Sequence, residues 1–120
     1  MKVVFVRSAE SAGNLSGTLQ GWTDSKLSDY GRKQAFSLCP LLEPALPLFA
    51  KAKAKEGEAS VHSSDLARAY ETAFYALGFP NEELIQRTHL LRELNMGSME
   101  GVYYDSLDSE KKDQIASLDF

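Results

Sequence analysis

Two arginines of this chain each follow an apolar segment that has the composition of a β-strand. Arg7 comes directly after Val3–Val6, and Arg68 ends a run, Ser63-Ser64-Asp65-Leu66-Ala67-Arg68, that follows a second such segment. Ligands of open parallel sheets bind beyond the carboxyl ends of the strands. Two guanidinium groups meeting there would bind one phosphate through charge-assisted, bidentate hydrogen bonds. A surface ion pair is the alternative for either arginine alone, but the shared position favours phosphate binding.

The residues that follow the first strand read Arg7-Ser8-Ala9-Glu10-Ser11-Ala12-Gly13-Asn14. This segment resembles the signature of the histidine phosphatase superfamily, to which the phosphoglycerate mutases belong. The family motif is Arg-His-Gly-Glu-Ser/Thr-x-x-Asn, and its His attacks phosphorus. The resemblance implies phosphate contacts for Arg7 and Asn14. It also places Ser8 at the position of the nucleophilic His and Ala9 at the position of the Gly.

Two further blocks extend the resemblance. The run from Ser63 to Ala73 is similar to the family's Ser-Ser-Asp-Leu-x-Arg-Ala-x-x-Thr-Ala, with Arg68 near the positive end of a helix. The stretch Leu19-Gln20-Gly21-Trp22-Thr23-Asp24 is similar to the family's Leu-Gln-Gly-Trp-x-Asp. In the family, the Gly and the residue two after it line the substrate side of the pocket. The resemblance therefore implies substrate contacts for Gly21 and Thr23.

A fourth block, from Leu91 to Gly101, resembles Leu-x-Glu-x-x-x-Gly-x-x-Glu-Gly, whose first Glu is the general acid. Glu93 inherits this candidate role, and a solvated loop carboxylate is the alternative. In the mutase branch, Arg, His and Tyr follow that Glu, whereas Leu94, Asn95 and Met96 follow it here. The resemblance therefore shifts toward the broad phosphatase branch.

The substitutions in the signature predict impaired chemistry. A serine hydroxyl is a weak nucleophile unless a base lies beside it, and Ser8 has no evident base in the sequence. The two histidines, His62 and His89, match neither catalytic His of the family. Ala9 adds a methyl group where Gly lets backbone approach a ligand.

Composition excludes several other classes of function. The chain has 120 residues, a net charge of -4, one cysteine and no apolar run of membrane-spanning length. Its acidity argues against nucleic acid and anionic membranes as partners, and the lone Cys39 suits the cytoplasm. The His and Cys positions have no metal-ligand spacing, and glycine-rich nucleotide motifs are lacking. We expect one domain over residues 1–120, without metal or cofactor.

The pattern of apolar residues predicts an α/β fold with a parallel sheet flanked by helices. Strands are predicted at residues 2–7, 59–63 and 84–88, with the first buried on both faces. A long loop is predicted from Ser8 to Lys26, and a surface helix end and linker at 49–58. Helices are predicted from the N-cap Ser28 through Leu42, from a cap at Ser64 or Asp65 to Leu77, and from Asp105 onward. Pro40, Pro44 and Pro47 are expected to break the first of these into short pieces.

The resemblance implies a phosphoglycerate mutase-like fold truncated at the C-terminus. Family domains are longer, and their later part supplies a strand between those near Val4 and Val61. A sheet without that strand would expose apolar edges. A homo-oligomer that completes the sheet, a rearranged fold or a fragment of a longer protein would each account for the difference.

The resulting interpretation is a degenerate, catalytically impaired family member that keeps an anion pocket of Arg7, Asn14, Arg68 and Glu93. Its expected ligand is phosphate, a phosphorylated small molecule or a phosphopeptide. One alternative is an active phosphatase or phosphoglycerate mutase that uses another group as nucleophile, with Ser8 as the candidate. The other is a pure protein-interaction domain in which the pocket is a relic.

Overall fold

The computed structural model describes residues 3–42, 60–80 and 82–117. The strands within these ranges are β1 (Val61–Ser64) and β2 (Ile85–Thr88). The helices are α1 (Ala12–Ser16), α2 (Asp29–Ser37), α3 (Cys39–Leu42), α4 (Ala67–Ala76) and α5 (Ser109–Ala116). Short 3-10 turns occupy Glu82–Leu84, His89–Leu91, Gly97–Met99 and Tyr104–Ser106. None of the described helices has the length and apolar composition needed to cross a membrane.

β1 and β2 pair in parallel, from Val61 opposite Ile85 to Ser64 opposite Thr88. The connection between them runs through α4, which packs on both strands and on α2. A helical crossover is what joins parallel strands. The α/β class and the strands predicted near 59–63 and 84–88 are therefore confirmed over the described residues.

A small apolar core lies between α4 and the strand pair. Leu77 and Ile85 are buried, and Val61, Tyr70 and Phe74 pack against them. Burying an aliphatic side chain of this size contributes roughly 1.5–3 kcal/mol. The predicted apolar face of α4 is thus the face that joins the helix to the sheet.

The first predicted strand, at residues 2–7, is wrong over its described part. Residues 3–7 have no regular secondary structure, and Val3, Val4, Phe5 and Val6 are 58%, 43%, 93% and 45% exposed. A strand is stabilised by a neighbour that accepts and donates its backbone hydrogen bonds. No described strand lies beside this segment, so its apolar side chains remain at the surface.

The predicted loop from Ser8 to Lys26 contains a helix that sequence reasoning missed. Ser11 caps α1 by accepting a hydrogen bond from the Asn14 amide, and the Asn14 side chain accepts one from the Ser11 amide. The two residues satisfy each other's backbone groups as in a capping box. The residue pair that marks this start, Ser11 and Asn14, belongs to the signature segment itself.

Ser28 is confirmed as the N-cap of α2, since its hydroxyl accepts a hydrogen bond from the Gly31 amide at 2.9 Å. Gly31 is required by close packing, because a Cβ atom there would lie 1.9 Å from the carbonyl oxygen of Glu10. The predicted break of this helix is confirmed near Pro40, since α2 ends at Ser37 and α3 starts at Cys39. Pro44 and Pro47 lie outside the described residues.

The predicted cap of α4 is wrong. Its N-cap is Leu66, and the exposed amide of Ala67 donates to the carboxylate of Asp24 at 2.7 Å. Asp65 lies one residue before the N-cap, and its two carboxylate oxygens accept hydrogen bonds from Arg92. A carboxylate brought in from the 21–24 loop therefore takes the place of a local capping residue.

The last helix begins later than predicted. Asp105 lies in a 3-10 turn, and Asp108 caps α5 by accepting a hydrogen bond from the Lys111 amide at 2.8 Å. The linker predicted at 49–58 and the apolar position Leu118 lie outside the described residues.

Candidate functional site

Arg68 is the centre of the candidate site. It lies in the first turn of α4 and is 5% exposed. Its Nη1 atom donates to the carbonyl of Thr23 at 2.8 Å, and its Nη2 atom donates to the carbonyl of Gly21 at 2.6 Å. Nη2 also lies 3.2 Å from Oε2 of Glu93. One guanidinium group thus brings together four of the residues that the sequence predicted for the site.

The loop that binds Arg68 is a tight turn. The Thr23 amide donates to the carbonyl of Gln20 at 2.6 Å, and Gly21 has a φ of 49° in the left-handed region. A Cβ atom on Gly21 would lie 2.6 Å from the Glu100 carboxylate and 2.8 Å from the carbonyl of Leu94. Glycine is the residue that tolerates both the conformation and the approach. The role of Gly21 in this structure is to shape the loop.

Glu100 was not among the predicted site residues, although it stands in the fourth motif block. Its carboxylate accepts hydrogen bonds from the Trp22 amide at 2.5 Å, from the Met96 amide at 3.4 Å and from the Thr23 hydroxyl at 3.2 Å. The bond from the Trp22 amide is the main cause that lowers the pKa of Glu100 below its ordinary value. The Glu-Gly pair at the end of the motif was the available signal.

Arg92 and Asp65 form a second ion pair beside this loop. The Nε and Nη2 atoms of Arg92 donate to the two carboxylate oxygens of Asp65 at 2.7 and 2.6 Å. Hydrogen bonding to Arg92 lowers the pKa of Asp65, and the same pairing raises the pKa of Arg92. The guanidinium carbon of Arg92 also lies 4.9 Å from the centre of the Trp22 ring. Sequence reasoning missed Arg92, which joins the 92–101 segment to the start of α4.

The signature loop reaches α4 through Ala9. Its amide donates to the Thr72 hydroxyl at 3.0 Å, and that hydroxyl donates to the carbonyl of Arg68 at 2.6 Å. Arg7 is exposed and makes no hydrogen bond or ion pair with any described residue. The convergence of Arg7 with Arg68 on one anion therefore stays a prediction.

Ser8 and Asn14 have different surroundings. Ser8 is half-buried, and neither His62 nor His89 forms a hydrogen bond with it in the described part of the chain. His62 instead contacts the Ser60 hydroxyl at 3.0 Å. The Oδ1 atom of Asn14 is used in capping α1. No group of three or more His, Cys, Asp and Glu side chains in the described ranges is arranged to hold a metal ion.

Comparison with known proteins identifies the family of this chain. The family model of the histidine phosphatase superfamily (branch 1) matches residues 3–119. The chain is 29% identical over 109 residues to the glucosyl-3-phosphoglycerate phosphatase of Mycobacterium tuberculosis. The aligned stretch covers 91% of this chain and 44% of that protein. It is 34% identical over 102 residues to the 2,3-bisphosphoglycerate-dependent phosphoglycerate mutase 2 of Latilactobacillus sakei, over 83% of this chain and 41% of that protein.

The fold agrees with this assignment. The crystal structure of a phosphoglycerate mutase from Thermus thermophilus matches with a TM-score of 0.67 and 30% identity, over 95% of this chain and 56% of that one. The chain thus spans less than half the length of the two curated relatives above. The family model covers nearly every residue, and the phosphoglycerate mutase-like α/β fold accompanies it. This chain belongs to the histidine phosphatase superfamily, branch 1.

Proposed function

We propose that this chain binds a phosphate group at Arg68 and is catalytically impaired as a phosphatase or mutase. The observation that carries the proposal is the buried guanidinium of Arg68, held in place by the carbonyls of Gly21 and Thr23. Because backbone oxygens already orient this buried cation, little rearrangement is needed when an anion binds. The named relatives include phosphatases and mutases of phosphorylated compounds, which supports phosphate as the ligand class.

The donor inventory of Arg68 leaves room for an anion. A guanidinium group has five N–H donors. Three of them are directed at Thr23, Gly21 and Glu93 among the described residues, so the Nε hydrogen and one Nη1 hydrogen remain for a ligand. A phosphate oxygen that accepts from one of them would form a charge-assisted hydrogen bond. Asn14 and Arg7 are proposed to add contacts from the signature loop.

Ser8 is the reason to expect impaired catalysis. In-line phosphoryl transfer needs an activated nucleophile, and a serine hydroxyl is activated by a neighbouring base. Neither His62 nor His89 contacts Ser8 in the described part of the chain. We therefore expect phosphate binding with slow or no turnover, and a binding or regulatory role.

A thermal melt with and without phosphate or 3-phosphoglycerate tests the binding. At phosphate tenfold above its Kd, linkage adds about 1.4 kcal/mol to the free energy of unfolding. That corresponds to a rise of about 5 °C in melting temperature for a chain of this size. Arg68→Lys keeps the charge but loses the forked geometry, and its own melting temperature should not respond to phosphate. Arg87→Lys, on β2, is the matched control and should respond like the wild type.

The same samples test the impairment with p-nitrophenyl phosphate. Turnover at the rate of an ordinary phosphatase would refute it and favour the active alternative, which requires a phosphorylated Ser8 detectable by mass spectrometry. A wild-type melting temperature that is indifferent to both ligands would refute phosphate binding.

A further inference from the structure

Side chains bind both the carbonyl groups and an amide group of the loop from Gly21 to Thr23. Arg68 donates to its carbonyl oxygens, at Gly21 and Thr23. Glu100 accepts from the Trp22 amide and from the Thr23 hydroxyl. A cation and an anion thus bind the same three-residue loop. Any movement of the loop away from Glu100 would also move the two carbonyls that orient Arg68.

Main-chain contacts fix the segment that carries Glu100. The amide of Gly101 donates to the carbonyl of Leu19 at 2.7 Å, and the amide of Leu19 donates to the carbonyl of Val102 at 2.9 Å. The amide of Glu100 itself donates to the carbonyl of Gly97 at 3.2 Å. Its carboxylate is therefore attached to backbone that is already anchored to the residues preceding the loop.

The approach of Glu100 to the loop is close. A Cβ atom on Gly21 would lie 2.6 Å from Oε1 of Glu100, a distance that side-chain carbons do not reach. The lowered pKa of Glu100 agrees with a carboxylate whose charged form is favoured by its hydrogen bonds. The contact depends on the negative charge, because backbone amides bind a carboxylate more strongly than a neutral amide oxygen.

We propose that Glu100 is a positioning residue of the anion site, holding the loop whose carbonyls orient the guanidinium of Arg68. This inference rests on the proposed phosphate binding at Arg68. Glu100 acts through Trp22, Gly21 and Thr23 and is not itself a ligand to the phosphate. Its loss leaves Arg68 charged and present, but removes the alignment of the remaining donors.

Glu100→Gln tests the proposal with little change in size. The glutamine oxygen can still accept from the Trp22 amide, but its NH₂ group cannot accept from the Thr23 hydroxyl. We expect phosphate, titrated by calorimetry, to bind about tenfold more weakly. Glu110→Gln removes the same charge from an exposed position on α5 and should bind phosphate like the wild type.

The single tryptophan supplies a readout that a general loss of stability would not give. Trp22 is the only tryptophan of the chain, and its indole N–H donates to the carbonyl of Glu93 at 2.8 Å. A ¹⁵N-labelled sample therefore gives one indole signal from this loop. In Glu100→Gln, the indole and backbone amide signals of Trp22 should shift without ligand, while signals from α5 stay in place.

Acid titration provides a test that does not use Glu100→Gln. Among the described residues, the other charged groups around the loop are Asp24, Arg68, Glu93, and Arg92 with its partner Asp65. The Trp22 amide signal should titrate below the ordinary pKa of a glutamate. Affinity for sulfate, an oxyanion whose charge is constant over this range, should fall with the same midpoint in Glu93→Gln, where the carboxylate on Arg68 is removed. Sulfate affinity that stays constant while the amide titrates would overturn the proposal even if Glu100→Gln does not fold.

The outcomes separate the two proposals. Phosphate binding by the wild type that Glu100→Gln retains in full, or unchanged Trp22 signals in that variant, would refute the role of Glu100 alone. A wild type that binds no phosphate would refute the proposed function, and the anion-site role of Glu100 with it.

Discussion

At the scale of single residues, the guanidinium of Arg68 holds two backbone carbonyls and one carboxylate at once. The carbonyl partners are neutral and orient the group. The carboxylate of Glu93 is charged and competes with any anion for the same donor. Glu93 therefore has a second candidate role besides that of general acid: it is the internal counter-ion of the anion site.

Glu93→Gln should strengthen phosphate binding. The substitution removes a negative charge 3.2 Å from Nη2 of Arg68 and leaves a neutral oxygen, which competes less strongly with an anion for that donor. The side chain of Glu93 is 53% exposed, so solvent screens the pair and the gain should be about threefold in Kd. Calorimetric titration with phosphate measures it, with Glu110→Gln as the control. Weaker binding by Glu93→Gln would show instead that the carboxylate supports the site.

At the scale of elements, the 92–101 segment is tied to the start of α4 by side chains and not by strand pairing. Arg92 binds Asp65 just before α4, and Glu100 binds the 22–23 loop that in turn binds Arg68. Both ties need ionised carboxylates. The site is therefore assembled by electrostatic contacts between loops around one helix.

These contacts predict that acid weakens the attachment of the 92–101 segment to the site. The pKa values of Asp65 and Glu100 are both lowered in the folded chain. A carboxyl group with a lowered folded pKa stabilises the fold above its unfolded pKa, and this contribution is lost as the pH falls through the folded value. Stability should therefore be retained at neutral pH and decrease below the ordinary carboxyl range.

Asp65→Asn is the variant that isolates one tie. Its free energy of unfolding, measured by urea denaturation at several pH values, should fall less steeply in acid than that of the wild type. The replacement Asp108→Asn, at the N-cap of α5, removes a carboxylate without touching the site. Equal acid slopes for Asp65→Asn and the wild type would contradict the assigned role of the Arg92 pair.

At the scale of the whole molecule, the chain presents an uncovered apolar segment. Val3, Val4, Phe5 and Val6 are all exposed, and they lead directly into the signature loop. Apolar surface of this kind is favourable to bury, at roughly 25 cal/mol per Å². We propose that a second copy of the chain covers this segment by pairing alongside it, as expected for a sheet completed by a homo-oligomer.

Phe5→Ser should lower self-association, because Phe5 is 93% exposed and its loss leaves the rest of the fold untouched. Light scattering over a concentration series measures the molar mass of wild type and variant. Leu90→Ser is the control, since Leu90 is 80% exposed at a site distant in sequence. A monomeric wild type at all concentrations would refute the proposal.

Much of the fold and part of the site could be predicted from local sequence. Ser28 starts α2 because its hydroxyl reaches an amide three residues away, and the apolar face of α4 follows from helical spacing. The motif blocks also identified Arg68, Gly21, Thr23 and Glu93, which the structure brings together. The cap, the helical face and each motif block are formed by residues near one another in the chain, whereas the meeting of the blocks is not.

Tertiary structure alone decided the remaining features, because they depend on residues far apart in sequence. Glu100 reaches an amide 78 residues away, and Arg92 reaches a carboxylate 27 residues away. Asp24, and not Asp65, caps α4 across 43 residues. Apolar composition at Val3–Val6 predicts a buried strand, but burial requires a neighbouring strand that no described residue supplies. The sequence by itself determined the paired strands, most helices and the chemical groups, whereas packing determined which groups meet and which surfaces stay uncovered.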